Sequence, residues 1–225
     1  MNARIALIAK APVAGFAKTR LIPALGEQGS AKIAKRLLEH ATAQAVSAEL
    51  GDAYLFASPF PLSQWPDVCI PESLRVFPQA DGDLGNRLIQ ACLTMHSNDD
   101  AVKFSALQSH ESEQTIELNS PIILMGTDCP SLTAEVLRMC AAELDTVDAC
   151  LIPASDGGYV ALGLKRLHRS IFTDIEWSTE VVCSTTEQRF EALRWSYTKL
   201  PTMHDIDEQQ DLQWLPPEWL AELDQ

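Results

Sequence analysis

Ile5-Ala-Leu-Ile-Ala9 runs directly into Lys10-Ala-Pro-Val-Ala-Gly15-Phe-Ala-Lys18-Thr19-Arg20-Leu21, and the junction of these two segments decides the fold class. Apolar residues in an unbroken row read as a short buried strand. The loop after it carries a glycine and three cations, with a helix expected beyond. α/β proteins hold phosphate in this way, because glycine lets the backbone approach an anion and successive N–H groups form a concave nest. The loop matches neither G-x-x-x-x-G-K-[ST] nor G-x-G-x-x-G, so it is neither an ordinary NTPase loop nor a dinucleotide fingerprint. What remains is Gly15 with Lys10, Lys18 and Arg20 at unequal reach, a set suited to the phosphates of a nucleotide. A merely solvated surface turn is the alternative.

Outward from this loop, apolar spacing predicts a helix over 30–50, with Ile33, Leu37, Leu38, Ala41, Ala45 and Val46 on one face and Gly51 as its stop. Strands are expected at 53–57, 74–77, 121–125, 148–153, 159–164 and 195–200. Asp83 can cap a helix reaching about Met95, and Thr133 one over 134–144. A further helix over 179–193 would start from Ser178 or Thr179, and Asp205-Ile206-Asp207 opens a terminal helical region that Asp207 could cap. Residues 97–120, rich in Ser, Asn, Asp, Glu and Gln, read as a surface insertion in one domain spanning 1–225. Strands alternating with helices predict an α/β fold with a mixed, mostly parallel sheet and helices on both faces. Chemistry in such sheets gathers beyond the carboxyl ends of the strands.

The 225 residues are 46% hydrophobic and 21% charged, ordinary proportions for a globular protein. A net charge of −14 disfavours nucleic acid and anionic membrane as partners, and makes a local cluster of cations more informative. The six cysteines show no CxxC pairing and no zinc-ligand rhythm, so they read as small buried thiols. No stretch reads as a signal peptide or a membrane span, and a cytoplasmic location is expected. Oligomeric state is not legible.

Asp128 follows the apolar run 121–125 and stands where a ligand could reach it. A carboxylate there suits a divalent cation, a hard ion that prefers oxygen; the alternative is that it orders the turn before Pro130. Asp205 and Asp207 supply further carboxylates after the last strand, and Mg2+ or Mn2+ is often held by one or two carboxylates plus substrate phosphates. Asp156-Gly157-Gly158-Tyr159 reads as a hairpin turn, or as backbone space left for an acceptor. Trp177 reads as a core residue at a helix start. No histidine has triad or H-x-x-x-H spacing; His204, beside Asp205, is the only one near a candidate site.

Taken in order, K-A-P-V-A-G-F-A-K-T-R-L, D-L-G-N-R-L, G-T-D-C-P-S-L, D-G-G-Y-V-A-L-G-L, I-E-W-S-T and D-I-D-E-Q-Q-D-L resemble the radical-SAM- and selenodomain-associated transferases, a family labelled as arsenosugar-biosynthesis glycosyltransferases. The resemblance spans roughly 5–212 and implies the GT-A fold of nucleotide-diphospho-sugar transferases. The first loop and the closing Asp-Ile-Asp also resemble phospholactate guanylyltransferases and sugar nucleotidyltransferases. By position, the resemblance implies that Gly15, Lys18 and Arg20 hold donor phosphates, that Asp128 and Asp207 bind the metal, and that Gln79, Asp83 and Arg87 contact nucleotide or substrate. The metal position reads Gly126-Thr127-Asp128, not the D-x-D of GT-A glycosyltransferases.

The expected activity is metal-dependent glycosyl transfer from a nucleotide sugar to a small-molecule acceptor. Asp128, Lys18 and Asp156 are the candidate catalytic residues, Asp156 as base. Nucleotidyl transfer from an NTP to a phosphorylated small molecule, with release of pyrophosphate, reads equally well from the residues. A non-catalytic nucleotide-binding protein is the third reading.

Overall fold

In the computed structural model, which describes residues 2–97 and 114–221, the opening apolar run is strand β1 (Arg4–Lys10). It pairs in parallel with β2 (Ala53–Ser58) on one side, and β2 in turn with β3 (Arg75–Pro78). On its other side β1 is parallel to β4 (Ile116–Met125). β4 and β5 (Ala149–Pro153) both run antiparallel to β6 (Tyr159–Leu167), and β7 (Tyr197–Lys199) lies parallel to β5. Among the described residues the sheet has seven strands, in the order β3-β2-β1-β4-β6-β5-β7. Because only β6 is reversed, the carboxyl ends of β1, β4 and β5 share one edge.

The strands alternate between two cores, as a period of two requires. Ile5, Leu7, Leu55, Ile123 and Ile152 face one side, under α1 (Ile22–Ser47) and α3 (Ala134–Glu143). Ala6, Phe56, Leu124, Leu151 and Leu162 face the other, under α2 (Leu84–Ser97) and α4 (Val182–Leu193). Each fully buried side chain of this size stabilises the fold by about 1.5–3 kcal/mol. A third cluster joins Leu21, Ile33 and Leu37 to Ile206, Leu215 and Trp219, the last on the short helix α5 (Pro217–Ala221). It ties the C-terminal chain to α1 and so to the first loop.

Several boundaries differ from the sequence reading. α1 begins at Ile22, where Pro23 is tolerated in the first turn, and breaks at Gly26 (φ 68°, ψ 173°) before the long run that apolar spacing picks out. Its C-cap is Ala48, and the chain turns at Glu49 (φ 53°), not at Gly51. β4 starts at Ile116, before the predicted Pro121; its ladder with β6 is irregular between Glu117 and Ile122, where proline lacks a donor. The expected insertion therefore overlaps strand at its end, and 98–113 lie outside the described residues.

Two expected caps are also replaced. Glu208, not Asp207, caps the 3-10 turn Gln209–Trp214, in a reciprocal box with Asp211. α4 starts at Val182 without a side-chain cap, while the Thr179 hydroxyl donates to the Glu176 carbonyl instead. Asp83 does cap α2, accepting from the Asn86 N–H at 2.8 Å.

Candidate active site

The first loop, the ends of β4 and β5, the 177–179 turn and the 203–207 strand-like strap enclose one cavity of about 680 Å3. The strap is held there by backbone. Ala154 and Met203 form a parallel bridge, the Ser155 N–H donates to the Met203 carbonyl, and the Ile206 N–H donates to the Asp128 carbonyl at 2.9 Å. These bonds carry Asp205 and Asp207 to the end of β4.

Lys18 is the hub. Its backbone is left-handed (φ 47°, ψ 48°), uncommon for a residue with a Cβ, and turns the side chain inward until it is 7% exposed. The ammonium lies 2.9 Å from Asp128 Oδ1 and 3.4 Å from Asp207 Oδ1. Arg20 closes the other side of Asp207 at 2.6 Å from Oδ2. Burial works to lower the Lys18 pKa, but the two carboxylates outweigh it and hold the ammonium above its ordinary value. Residues expected to divide into a phosphate loop and a metal pair thus form a single ionic cluster. Asp128 and Asp207 do come together, but around an ammonium.

Asp205 lines the same cavity and is the main residue that the sequence reading ranked too low. Burial, reinforced by the negative charge of Asp156 and opposed only in part by Lys18, pushes its carboxyl up to about 6. The nearest signal in the sequence was the Asp-Ile-Asp spacing, which in an extended strap presents its two aspartates to one side. Asp156 lines the cavity too; one of its oxygens accepts the Gly158 N–H at 2.8 Å. The alternative of acceptor space at Gly157 is closed, since a Cβ there would meet the Glu180 carbonyl at 2.2 Å.

A scan against family models matches residues 37–179 to the family described as an uncharacterized protein conserved in bacteria, DUF2064. The chain belongs to the DUF2064 family. Comparison with curated proteins gives no match. Among solved structures, a candidate nucleotide-diphospho-sugar transferase from Desulfovibrio desulfuricans G20 superposes with a TM-score of 0.80 at 22% identity, covering 99% of this chain and 95% of that one. A nucleotidyl transferase from Methanothermobacter reaches 0.57 at 12% identity, with 99% and 100% covered. A cytidylyltransferase from Leptospira borgpetersenii reaches 0.53 at 12%, with 100% and 92% covered. At these identities the likeness is one of fold, and the fold is that of the nucleotide-diphospho-sugar transferases.

The remaining expected site residues of this DUF2064 protein divide. Lys10 lines the cavity at the end of β1. Gly15 takes φ 79° in the loop, and Phe16 beside it stands 83% exposed on the cavity's lining. Asp83 is committed to capping α2. Gln79 spans the sheet edge, its amide donating to the carbonyls of Ala9 at 2.6 Å and Phe56 at 3.0 Å while its oxygen accepts from Arg87 at 3.4 Å. With both amide hydrogens so used, Gln79 clamps β1 to β2 and orients Arg87. His204 stacks flat on Trp214 at 3.7 Å and lies 3.0 Å from the Ser155 hydroxyl, so packing accounts for it. Five of the six cysteines are buried and none is paired, in line with the sequence reading. No helix among the described residues is long and apolar enough to cross a membrane.

Proposed function

We propose that the protein is a metal-dependent transferase that uses a nucleotide, moving a glycosyl group from a nucleotide-sugar donor to a small-molecule acceptor. The observation that carries the reading is the convergence of the cationic first loop with Asp128, Asp205 and Asp207 on one cavity at the strand ends. It fits the fold and the likeness to a candidate nucleotide-diphospho-sugar transferase over nearly the whole of both chains. The finer kinship to selenodomain-associated transferases belongs to this proposal.

Lys10 and the loop backbone would receive the donor phosphates. Lys18 holds Asp128 and Asp207 in place, and Arg20 fixes Asp207 from outside. Mg2+ or Mn2+ fits the donor set. Asp128 and Asp205 offer oxygen only, and a cation would offset the burial and the repulsion from Asp156 that raise Asp205. Among the described residues no three His, Cys, Asp or Glu close around a metal by themselves, so substrate phosphates and water would complete its shell. When bound, the ion would neutralise charge developing on the leaving diphosphate. Asp156, exposed at the β5–β6 turn, would take the proton of an attacking acceptor hydroxyl.

Nucleotidyl transfer is the second reading. Likeness in fold to a nucleotidyl transferase and a cytidylyltransferase supports it, with Lys10 at the end of β1 placed to meet a triphosphate. Incubating the protein with Mg2+ or Mn2+ and panels of NTPs and nucleotide sugars separates the two. Acceptor-dependent release of a nucleoside diphosphate is the expected result. Acceptor-dependent pyrophosphate would replace glycosyl by nucleotidyl transfer, and nucleotide-induced thermal shifts without turnover across a broad acceptor panel would make the protein a binding module.

A further inference from the structure

On the part of the cavity lining supplied by α2 and the turn before α4, two hydrogen-bond donors are buried without an acceptor. They are the Arg87 Nε–H and the Trp177 indole N–H, and both side chains line the cavity. Neither group can accept a hydrogen bond, so rotation or a tautomer cannot satisfy it. Leaving such a donor dry costs about 1–3 kcal/mol, more where the group is charged. Two of them on one cavity mark a place where a bound molecule supplies the missing acceptor atoms.

The local structure keeps these donors in place. Gln79 accepts from the Arg87 guanidinium at 3.4 Å and is itself pinned to the ends of β1 and β2. The indole nitrogen of Trp177 sits over Gly85, in the first turn of α2. A Cβ there would lie 3.3 Å from that nitrogen and 2.0 Å from the Phe172 carbonyl, so only glycine admits the close approach. Arg87 follows Gly85 by two residues, which brings the two donors to the same end of α2. That end carries the positive pole of the helix. Of the first loop's cations, Lys18 and Arg20 are engaged by Asp128 and Asp207, which leaves Lys10, at the end of β1, for the nucleotide.

A guanidinium, an indole N–H and a helix amino end all favour negative charge on oxygen. We propose that Arg87 and Trp177 form an oxyanion subsite for the second substrate, so that the acceptor carries a carboxylate or a phosphate. The subsite rests on the reading of the first loop as the nucleotide's place. Phe16 and Leu84, exposed on the same lining, add an apolar rim, so the accepted molecule has apolar surface beside its anionic group.

The test follows the indole N–H cross-peak of Trp177, assigned by its loss in Trp177→Phe, during separate titrations with inorganic phosphate and acetate and without nucleotide or metal. The expected result is a saturable shift of that peak with one of the two anions, which names phosphate or carboxylate as the source. The affinity should fall about tenfold to a hundredfold in Arg87→Lys, the loss of one charge-assisted hydrogen bond, and persist in Lys18→Met. No shift with either anion, or a shift lost in Lys18→Met but kept in Arg87→Lys, overturns the subsite. Calorimetry of NTP and nucleotide-sugar binding to Arg87→Lys and Trp177→Phe tests the two readings apart. Retained nucleotide affinity is expected. Its loss in both variants would assign these donors to the nucleotide and overturn the acceptor subsite while leaving nucleotide use intact; absence of nucleotide binding in the unmodified protein would strike the proposed function without touching the anion result.

Discussion

The two ends of the cavity are built on opposite terms. Around Lys18 each charge has met its counter-charge, since one ammonium and one guanidinium hold two carboxylates within 3.4 Å. Around Arg87 and Trp177 the donors are fixed by neighbours yet unanswered. A cluster that satisfies itself is organised before any ligand arrives, whereas a wall of unmet donors becomes complete only when occupied. The difference teaches that charge alone is a poor guide to where a ligand makes its new bonds. Two of the first loop's three cations, Lys18 and Arg20, are already paired, while unanswered donors sit on Arg87 and Trp177.

The sharpest way to break this contrast is Asp128→Asn, which keeps shape and removes charge. Turnover should fall about a hundredfold to a thousandfold in a steady-state assay with saturating metal and nucleotide; unchanged turnover would deny Asp128 its role. Gly85→Ala addresses the other end. Its added methyl collides with the Phe172 carbonyl, so urea denaturation should show a loss of about 1–3 kcal/mol. Because the obstacle is backbone, little of that strain can relax. Equal stability would mean that the turn carrying Trp177 is not held against α2.

Lys18→Met strips the cluster of its hub and leaves two carboxylates facing each other. Both are nearly half exposed, so solvent moderates the penalty to about 1–2 kcal/mol. Mg2+ should restore part of that stability, measured as a larger thermal shift on adding the ion than the unmodified protein gives. The smallest effect concerns pH. The Asp205 carboxyl stands at about 6 in the folded chain, above its unfolded value, so the folded state holds the extra proton between roughly pH 4 and 6. Its contribution is favourable at the acid end of that window and declines as pH rises through it. Asp205→Asn removes the decline, so denaturation profiles should show a variant more stable than the parent by about 1 kcal/mol above pH 6, with the advantage fading below pH 4.

The fold was legible because its signals are local. β1, β2, β5 and β6 announce themselves as unbroken apolar runs, and the Thr133 and Asp83 caps fall where expected. Errors came where a distant partner decides the outcome. Pro121 reads as a strand start, but β4 continues back to Ile116 through an irregular ladder with β6. Asp207 reads as a cap, but Lys18 and Arg20 claim it from the other end of the chain. The first loop, Asp128 and Asp207 could be named from residue types, whereas the pairing of Lys18 with both aspartates could not, since spacing carries no information on contacts across the fold. Arg87 was noticed for its motif and Trp177 dismissed as core. Only burial without a partner gives them a shared meaning.

The link from Lys18 to Asp207 joins residues 189 positions apart. A ribosome therefore delivers the ammonium long before either of its carboxylates, and the sheet's first parallel pairs can form while Lys18 still lies open to water. The cluster around Lys18 is assembled only when the strap emerges, docks beside β5 and brings Ile206 and Trp219 onto α1. A nascent or clipped chain that lacks this last segment lacks Asp207, the carboxylate that joins Lys18 to Arg20, so the cluster is finished only with the last stretch of chain.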